Sequence, residues 1–425
     1  MNANAASRIP PLLTREFWFL AATYLLFLSS LWTIVGMGLA VAALHVVVLY
    51  HLARTPVEDW LPRWVWVPFV ALLAWATFVS ILADDAGGSF ARMLRHHRLF
   101  LPLVLLPALA RTDLRRLIGV HAAVACVMAI YGVAEYGWGV DFYREVSINP
   151  YHASGTFDMY HTFAGVNLMA APVYLSLATA ARGRERLLWA GAGGMAVLAV
   201  VVSLGRAGWL GLTAALLVLC LRLPRRYAVP IVSAALAGIV LLALVVMSGN
   251  LRDFIGQAAG NTVAGRLQTF EQADEDQRLL LWDAALRAIR DAPLLGHGLT
   301  LDAYQAYLAV IRAERGLTLA QLPPRNPHNT YLEFAYYLGI PGLLVFLSVW
   351  IAVLAWCIQW MRRAGDSLPW ETSLLWGITA ALCGSMVDGF FGAQWVDAEV
   401  QVNILMWMGV GLYTGLSVRK RIAGR

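Results

Sequence analysis

The stretch NPHNTYLE, from Asn326 to Glu333, places a histidine among hydrogen-bonding side chains where an apolar run begins. Proline is favoured at the first position of a helix, so Pro327 and a preceding Asn326 N-cap predict that His328 lies in the first turn of a helix. The positive end of the helix dipole disfavours an imidazolium there, which leaves a neutral imidazole suited to act as a general base. The N–H groups of the same turn attract an oxyanion such as phosphate. The alternative is a histidine that merely caps a helix at an interface.

Two further charged residues stand at comparable ends of apolar runs. Arg206 is bracketed by Gly205 and Gly208, where small residues allow another group to approach the backbone. Asp388 closes a later apolar run in the sequence MVDG. Each would be an ordinary boundary charge in isolation, so their significance depends on whether they meet His328.

The segment from Arg278 to Arg290 predicts an amphipathic helix lying against a membrane domain. Its apolar side is formed by Trp282, Ala285, Leu286 and Ile289, and its polar side by Asp283, Arg287 and Arg290. Arg278 projects onto the apolar side, which indicates a partner for its guanidinium there; the alternative is that it extends to lipid head groups. The helix ends in the turn PLLGHG, where His297 between two glycines is a turn residue or a second base. Glu333, about 140° around its helix from His328, is expected to pair with an arginine or hydroxyl elsewhere.

The composition determines which elements position these residues. The 425-residue chain is 60% hydrophobic and 14% charged, with a mean hydropathy of +0.63, which is far too apolar for a soluble domain. The sequence predicts an all-α polytopic membrane protein with about 12 transmembrane helices. The predicted spans lie near 17–35, 38–53, 64–83, 99–110, 116–138, 162–181, 187–204, 207–222, 228–248, 330–360, 372–392 and 401–418. The predicted organisation is nine spans in 1–248, one large, partly helical loop over 249–329, and three spans with a tail in 330–425.

The distribution of basic residues predicts the orientation of the chain. With both termini in the cytoplasm, 19 of the 32 lysines and arginines fall in the cytoplasmic connections. The other 13 fall on the far side, and eight of them lie in the long loop that follows the ninth span. His328 stands where that far-side loop re-enters the membrane.

The sequence evidence for other candidate sites is weaker. The basic patch around Arg92, Arg95 and Arg98 runs against the positive-inside tendency and is either a contact for lipid phosphates or a partner of Asp84 and Asp85. The histidines lack the spacing of metal ligands, so no metal site and no cofactor are predicted. The basic residues follow the membrane topology, which argues against a nucleic-acid partner.

The motifs together resemble a known family. The order of spans, a late loop, R-x-x-x-W followed by PLLGHG, and H-N-x-x-L-E-x-x-x-x-x-G-x-x-G is similar to the O-antigen ligase and polymerase superfamily of bacterial envelope glycosyltransferases. The resemblance is clearest from Arg206 to Asp388, and His328 with Asn329 is its most specific part.

The resemblance implies a glycosyltransferase in the bacterial inner membrane with a periplasmic active site. The implied donor is a glycan on undecaprenyl pyrophosphate, and the ligase branch transfers it to lipid A-core without a metal ion. The implied roles are His328 as the general base and Arg206 and Arg278 as catalytic residues that bind the pyrophosphate. Asn329, Asp388, Arg92 and Arg95 are candidate substrate-binding residues. Membrane lipids are the remaining partners.

Two alternatives remain open. A polymerase of the same superfamily uses the same donor chemistry, but its members usually have two large periplasmic loops, whereas the segment 139–161 is much shorter than 249–329. A transporter of lipid-linked glycans is expected to carry acidic residues in mid-span, and the predicted spans hold almost none.

Overall fold

A computed structural model of the protein describes residues 15–30, 34–52, 61–147, 152–222, 273–392, 394–395 and 397–424. The first helices are α1 (Arg15–Ser29), α2 (Ile34–Leu52), α3 (Arg63–Leu82), α4 (Ala86–Arg95), α5 (Leu101–Leu109) and α6 (Leu114–Trp138). The strands β1 (Val140–Asp141) and β2 (Val146–Ser147) follow and pair antiparallel, with Val140 opposite Ser147. The remaining helices are α7 (Tyr160–Ala180), α8 (Gly183–Val202), α9 (Arg206–Cys220), α10 (Ala273–Asp291), α11 (Asp302–Arg315), α12 (Thr330–Ala364), α13 (Pro369–Asp388) and α14 (Ala398–Ala423).

Helix α7 lies in the core of the bundle. Nearly all of its residues from Thr162 to Ala178 are buried, because it packs against α8, α9, α13 and α14. Helix α14 is buried in the same way from Val400 to Val418 and packs against α5, α12 and α13. Helices that are apolar on all sides are expected in the core of a membrane bundle, so the other helices pack around these two.

The helices are consistent with a protein that crosses a membrane several times. Five of the described helices, α3, α6, α7, α8 and α12, are long and apolar enough to span a bilayer. Helices α1, α2 and α9 are shorter apolar helices. The predicted all-α membrane fold is therefore confirmed, whereas the predicted number of spans is not. The predicted ninth span, 228–248, and the beginning of the predicted loop, 249–272, lie outside the described residues.

The fourth predicted span, 99–110, is a short helix in the structure. It corresponds to α5, which has nine residues and follows α4 and a 3₁₀ turn, His96–Phe100. Nine helical residues extend about 14 Å, which is less than the thickness of the hydrocarbon. Pro102 and Pro107 both lie within this short helix.

The predicted amphipathic helix exists as α10, but its buried face is rotated from the predicted one. Leu281, Ala284, Ala285, Ala288 and Ile289 are buried against α11 and α12. Leu286, which was predicted on the apolar side, is 43% exposed. The neighbours of α10 are thus α11 and the start of α12.

Helix α12 is interrupted at Gly339, whose φ of 69° is left-handed. The turn at 293–298 docks into the interruption: the N–H groups of His297 and Gly298 donate to the carbonyls of Tyr336 and Tyr337 at 2.9 and 3.1 Å. The N–H of Ile340 donates in return to the carbonyl of Pro293 at 2.8 Å. The backbone groups that the break releases are therefore satisfied by the turn PLLGHG.

Helices α9 and α13 approach closely at two glycines. A Cβ atom on Gly211 would lie 2.7 Å from the carbonyl oxygen of Gly384, and one on Gly384 would lie 2.5 Å from the carbonyl oxygen of Gly211. Such close crossings of small residues are common between membrane helices. The crossing fixes the end of α13, with Asp388, beside the first turns of α9, which begin at Arg206.

The docking of the turn into α12 predicts a difference between two glycine substitutions. Gly296 and Gly316 both have positive φ, but a Cβ on Gly296 would lie 2.6 Å from backbone atoms of α12, whereas a Cβ on Gly316 meets nothing within 4 Å. Both Gly→Ala changes introduce backbone strain of about 1–2 kcal/mol, and Gly296→Ala adds a steric clash. We expect Gly296→Ala to lower the thermal unfolding midpoint in detergent clearly more than Gly316→Ala. Equal shifts would contradict the proposed role of this contact.

Candidate active site

One cavity of about 590 Å³ brings together four of the residues that the sequence singled out. Arg206, Arg278, His328 and Asp388 all line it. They come from α9, from α10, from the segment before α12 and from the end of α13. The cavity therefore gathers charged and titratable side chains that are far apart in the sequence.

The first turn of α9 forms part of the cavity wall through Arg206, Ala207 and Gly208. The N-cap of this helix is Gly205, which has no side chain with which to cap the first N–H groups. Leu204, immediately before it, has a left-handed φ of 54°. Such strain in a residue other than glycine is a feature of functional sites. This helix start is suited to an anion, since the positive end of a helix dipole and first-turn N–H groups without a side-chain cap lie at the cavity wall.

The start of α12 differs from the prediction. Asn329, and not Asn326, is the N-cap: its side-chain oxygen accepts hydrogen bonds from the N–H groups of Tyr331 and Leu332, both at 3.0 Å. The N–H of Thr330 donates to the carbonyl of Gly389 at 2.8 Å. These N–H groups are thus already bonded, so the predicted attraction of an oxyanion to this turn is wrong. Asn329 is a buried cap and does not line the cavity.

His328 precedes the helix instead of lying in its first turn. Its φ of 49° is left-handed, a conformation that histidine adopts more readily than most residues. Its backbone N–H donates to the side-chain oxygen of Asn326 at 3.3 Å. The histidine is therefore held at a turn on the cavity wall.

Hydrogen bonds fix the start of α12 relative to the segment that carries Asp388. The hydroxyl of Thr330 donates to the carbonyl of Gly392 at 3.0 Å, and the hydroxyl of Tyr331 donates to the carbonyl of Met386 at 2.6 Å. Asp388 itself accepts a hydrogen bond from the amide of Gln394. These contacts set the position of His328 relative to Asp388.

Arg278 reaches the cavity from α10. The hydroxyl of Tyr304 in α11 donates to the carbonyl of Leu281 at 3.0 Å, which ties the two helices together beside this arginine. Arg278 is also close enough to Asp388 to interact with it electrostatically. The sequence predicted a partner for the guanidinium of Arg278. In the structure this arginine lines a cavity that also contains the carboxylate of Asp388.

Besides Asp158, four further charged residues or histidines of the cavity were not predicted. Arg325, His161, Asp397 and Glu399 line it as well. His161 Nε2 lies 3.8 Å from a carboxylate oxygen of Asp397, which also accepts a hydrogen bond from Thr162. Arg325 directly precedes the NPHN sequence, and Asp397 and Glu399 directly precede the last predicted span. These residues lie at boundaries of apolar runs, and that position is the signal in the sequence that could have identified them.

A hairpin holds one rim of the cavity in place. Arg144 donates to Asp141 at 2.5 Å and to Asp158, which lines the cavity, at 2.9 Å. Burial alone would raise the pKa of Asp141, but hydrogen bonds from Tyr131 and Arg144 outweigh it and lower that pKa below its ordinary value. Asp141 therefore remains ionised and keeps Arg144 oriented toward the rim.

Several predicted residues lie elsewhere. Arg92 lines a second cavity of about 480 Å³ and donates to the carbonyl of Leu299 at 3.2 Å. The side chain of Arg95 lies outside the described part of the structure. His297 stacks on Tyr336 and its Nε2 lies 2.8 Å from the carbonyl of Ala288, so it supports the turn.

Glu333 does not have its expected partner in the described part of the chain. Neither of its carboxylate oxygens has a hydrogen-bond partner among the described residues, although the side chain is buried. The predicted pairing with arginine or a hydroxyl is therefore not found among these residues. Within the same described residues, no three His, Cys, Asp or Glu side chains are grouped so that they could hold a metal ion.

Comparison with known proteins identifies relatives of the chain. Residues 191–347 match the family model described as O-antigen ligase, a range that includes Arg206, Arg278 and His328. An O-antigen ligase of Pseudomonas aeruginosa is 24% identical over 364 residues, which cover 84% of this chain and 79% of the relative. The two matches confirm the resemblance that the motifs carry: residues 191–347 are similar to the O-antigen ligase family, and most of the chain is similar to the Pseudomonas ligase.

Proposed function

We propose that the protein is an O-antigen ligase that transfers a glycan from undecaprenyl pyrophosphate to lipid A-core. The observation that carries the proposal is that Arg206, Arg278 and His328 line one cavity. Two guanidinium groups and a histidine supply what transfer from a lipid pyrophosphate requires, namely stabilisation of the leaving group and removal of a proton. The match to an O-antigen ligase family model supports this assignment.

The pyrophosphate of the donor binds at the start of α9. The helix dipole and the N–H groups of its first turn attract the phosphate oxygens, and Arg206 is the first residue of that helix. Arg278 contributes a second guanidinium from α10. Because planar guanidinium groups bind phosphate oxygens in a bidentate manner, the two arginines stabilise the negative charge that develops as the anomeric C–O bond breaks.

His328 activates the acceptor. Its imidazole takes the proton of the acceptor hydroxyl as the oxygen of that hydroxyl attacks the anomeric carbon. The bond from this carbon to the pyrophosphate oxygen breaks, and its electron pair leaves with the pyrophosphate. Attack on the face opposite the leaving group inverts the anomeric configuration. No metal ion takes part in this scheme.

The carboxylates of the cavity suit the sugar of the donor rather than the pyrophosphate. Asp388 and Asp397 would repel a phosphate but accept hydrogen bonds from hydroxyl groups. Asp388 also interacts electrostatically with Arg278, which orients that arginine. The glycan of the donor is therefore expected to contact Asp388 and Asp397.

The cavity faces the periplasm in this proposal. Helix α14 begins at Ala398, which lines the cavity, and carries Arg419, Lys420 and Arg421 near its other end. Its 26 residues extend about 39 Å, enough to cross a bilayer. Basic residues favour the cytoplasmic side, so the cavity is on the opposite side and both termini are cytoplasmic. The proposed topology keeps about 12 spans and the large loop between the ninth and tenth.

Replacement of His328 tests its role as the base. Asn tolerates the left-handed conformation but cannot accept the proton, so we expect His328→Asn to lower kcat about 10²–10⁴-fold with little change in thermal stability. The assay is transfer from undecaprenyl-pyrophosphate glycan to lipid A-core by purified protein in proteoliposomes, with and without a chelator. His152→Asn, at a histidine that does not line the cavity, is the control and should retain activity. An active His328→Asn protein would refute the proposed role, and elongation of the lipid-linked glycan instead of ligation would identify a polymerase.

Arginine-to-lysine changes test the binding of the pyrophosphate. Lysine keeps the charge but loses the bidentate geometry, so we expect Arg206→Lys and Arg278→Lys each to lower kcat/KM at least about tenfold. Arg290→Lys is the matched control, because Arg290 is exposed near the end of the same helix as Arg278. Full activity of both cavity variants would argue against bidentate recognition of the donor.

A further inference from the structure

The second cavity lies beside the first. Ala398, in the first turn of α14, lines both of them, so the two cavities are neighbours. The walls of the second cavity are mostly apolar, and its polar lining residues are Arg92, Arg98, Glu333 and Gln401.

Two of these polar side chains carry atoms that have no hydrogen-bond partner within the described structure. Glu333 is buried, and neither of its carboxylate oxygens accepts a hydrogen bond from a described residue. The side-chain N–H₂ of Gln401, which is also buried, likewise has no acceptor among those residues. Buried polar groups are almost always hydrogen-bonded, so a ligand that both donates and accepts hydrogen bonds would satisfy the two residues.

The apolar walls narrow the class of ligand. Phe334, Tyr337 and Trp395 line the cavity, and the rings of Phe334 and Trp395 are packed edge to face with centroids 5.8 Å apart. Aromatic side chains contact the apolar C–H faces of sugar rings, while sugar hydroxyls form hydrogen bonds. A phosphate would offer no donor to Glu333, and an acyl chain would satisfy neither Glu333 nor Gln401.

We propose that the second cavity is a saccharide subsite for the acceptor, in which Glu333 and Gln401 bind hydroxyl groups of a sugar next to the one that is glycosylated. This proposal rests on the proposed function. Glu333 lies about one turn into α12, the helix that follows His328. A saccharide held by Glu333 can therefore present the hydroxyl of its neighbouring sugar to the first cavity. Both Glu333 and Gln401 act here by binding the substrate and not by moving a proton.

The test measures KM separately for the acceptor and the donor. We expect Glu333→Gln and Gln401→Leu each to raise the KM for lipid A-core roughly ten- to hundredfold, as loss of a hydrogen bond to a charged or buried group does. The KM for undecaprenyl-pyrophosphate glycan and the thermal unfolding midpoint should stay unchanged. Glu314→Gln, at an exposed carboxylate that pairs with Arg287, is the matched control and should leave both KM values unchanged. An unchanged acceptor KM in both cavity variants, or a rise in donor KM alone, would overturn the proposal.

A binding measurement separates this proposal from the proposed function. The probe is the core oligosaccharide released from lipid A-core by mild acid, titrated into nanodisc-embedded wild type, Glu333→Gln and Gln401→Leu. Weaker binding to both variants supports the subsite even if the wild type transfers no glycan, in which case only the proposed function fails. Equal binding to all three proteins, or no binding to the wild type, overturns the subsite, whatever the transfer assay shows.

Discussion

The need to satisfy backbone hydrogen bonds in an apolar solvent governs the arrangement around the cavity. A bilayer offers no water to unpaired N–H and C=O groups, so each interruption of a helix must find partners within the protein. The break in α12 at Gly339 finds them in the turn at 293–298, and the start of the same helix finds them in Asn329 and Gly389. Helix α9 is different, because it begins at the cavity after a glycine N-cap. That difference is what makes α9 the proposed site for the pyrophosphate.

The same contacts that satisfy the backbone also position the reactive side chains. The hydrogen bonds of Thr330 and Tyr331 hold the start of α12 against the segment 386–392, and this determines where His328 lies relative to Asp388. The crossing at Gly211 and Gly384 in turn sets α13 against α9. Backbone contacts at helix ends and close packing of small residues therefore fix the positions of these side chains.

The sequence predicted the class of fold and four of the charged or titratable residues that meet in the cavity, because both leave local signals. Long apolar runs identify membrane helices, and their ends identify Arg206, His328 and Asp388. Arg278 was identified by its position on the apolar side of an amphipathic helix. The N-cap of α12 was assigned three residues too early, since Pro327 is favoured at the first position of a helix but here precedes a capping Asn329. The roles of the turn PLLGHG, of Asp397 and of Glu333 depend on contacts between distant segments, which no local pattern contains.

The most direct test of the central claim is a structure of the protein in nanodiscs with undecaprenyl-pyrophosphate glycan bound and no acceptor present. The account predicts the two phosphates at the first turn of α9, within hydrogen-bond distance of the guanidinium groups of Arg206 and Arg278, with the anomeric carbon facing His328. Phosphates bound instead in the second cavity beside Arg92, or at the start of α12, would contradict it.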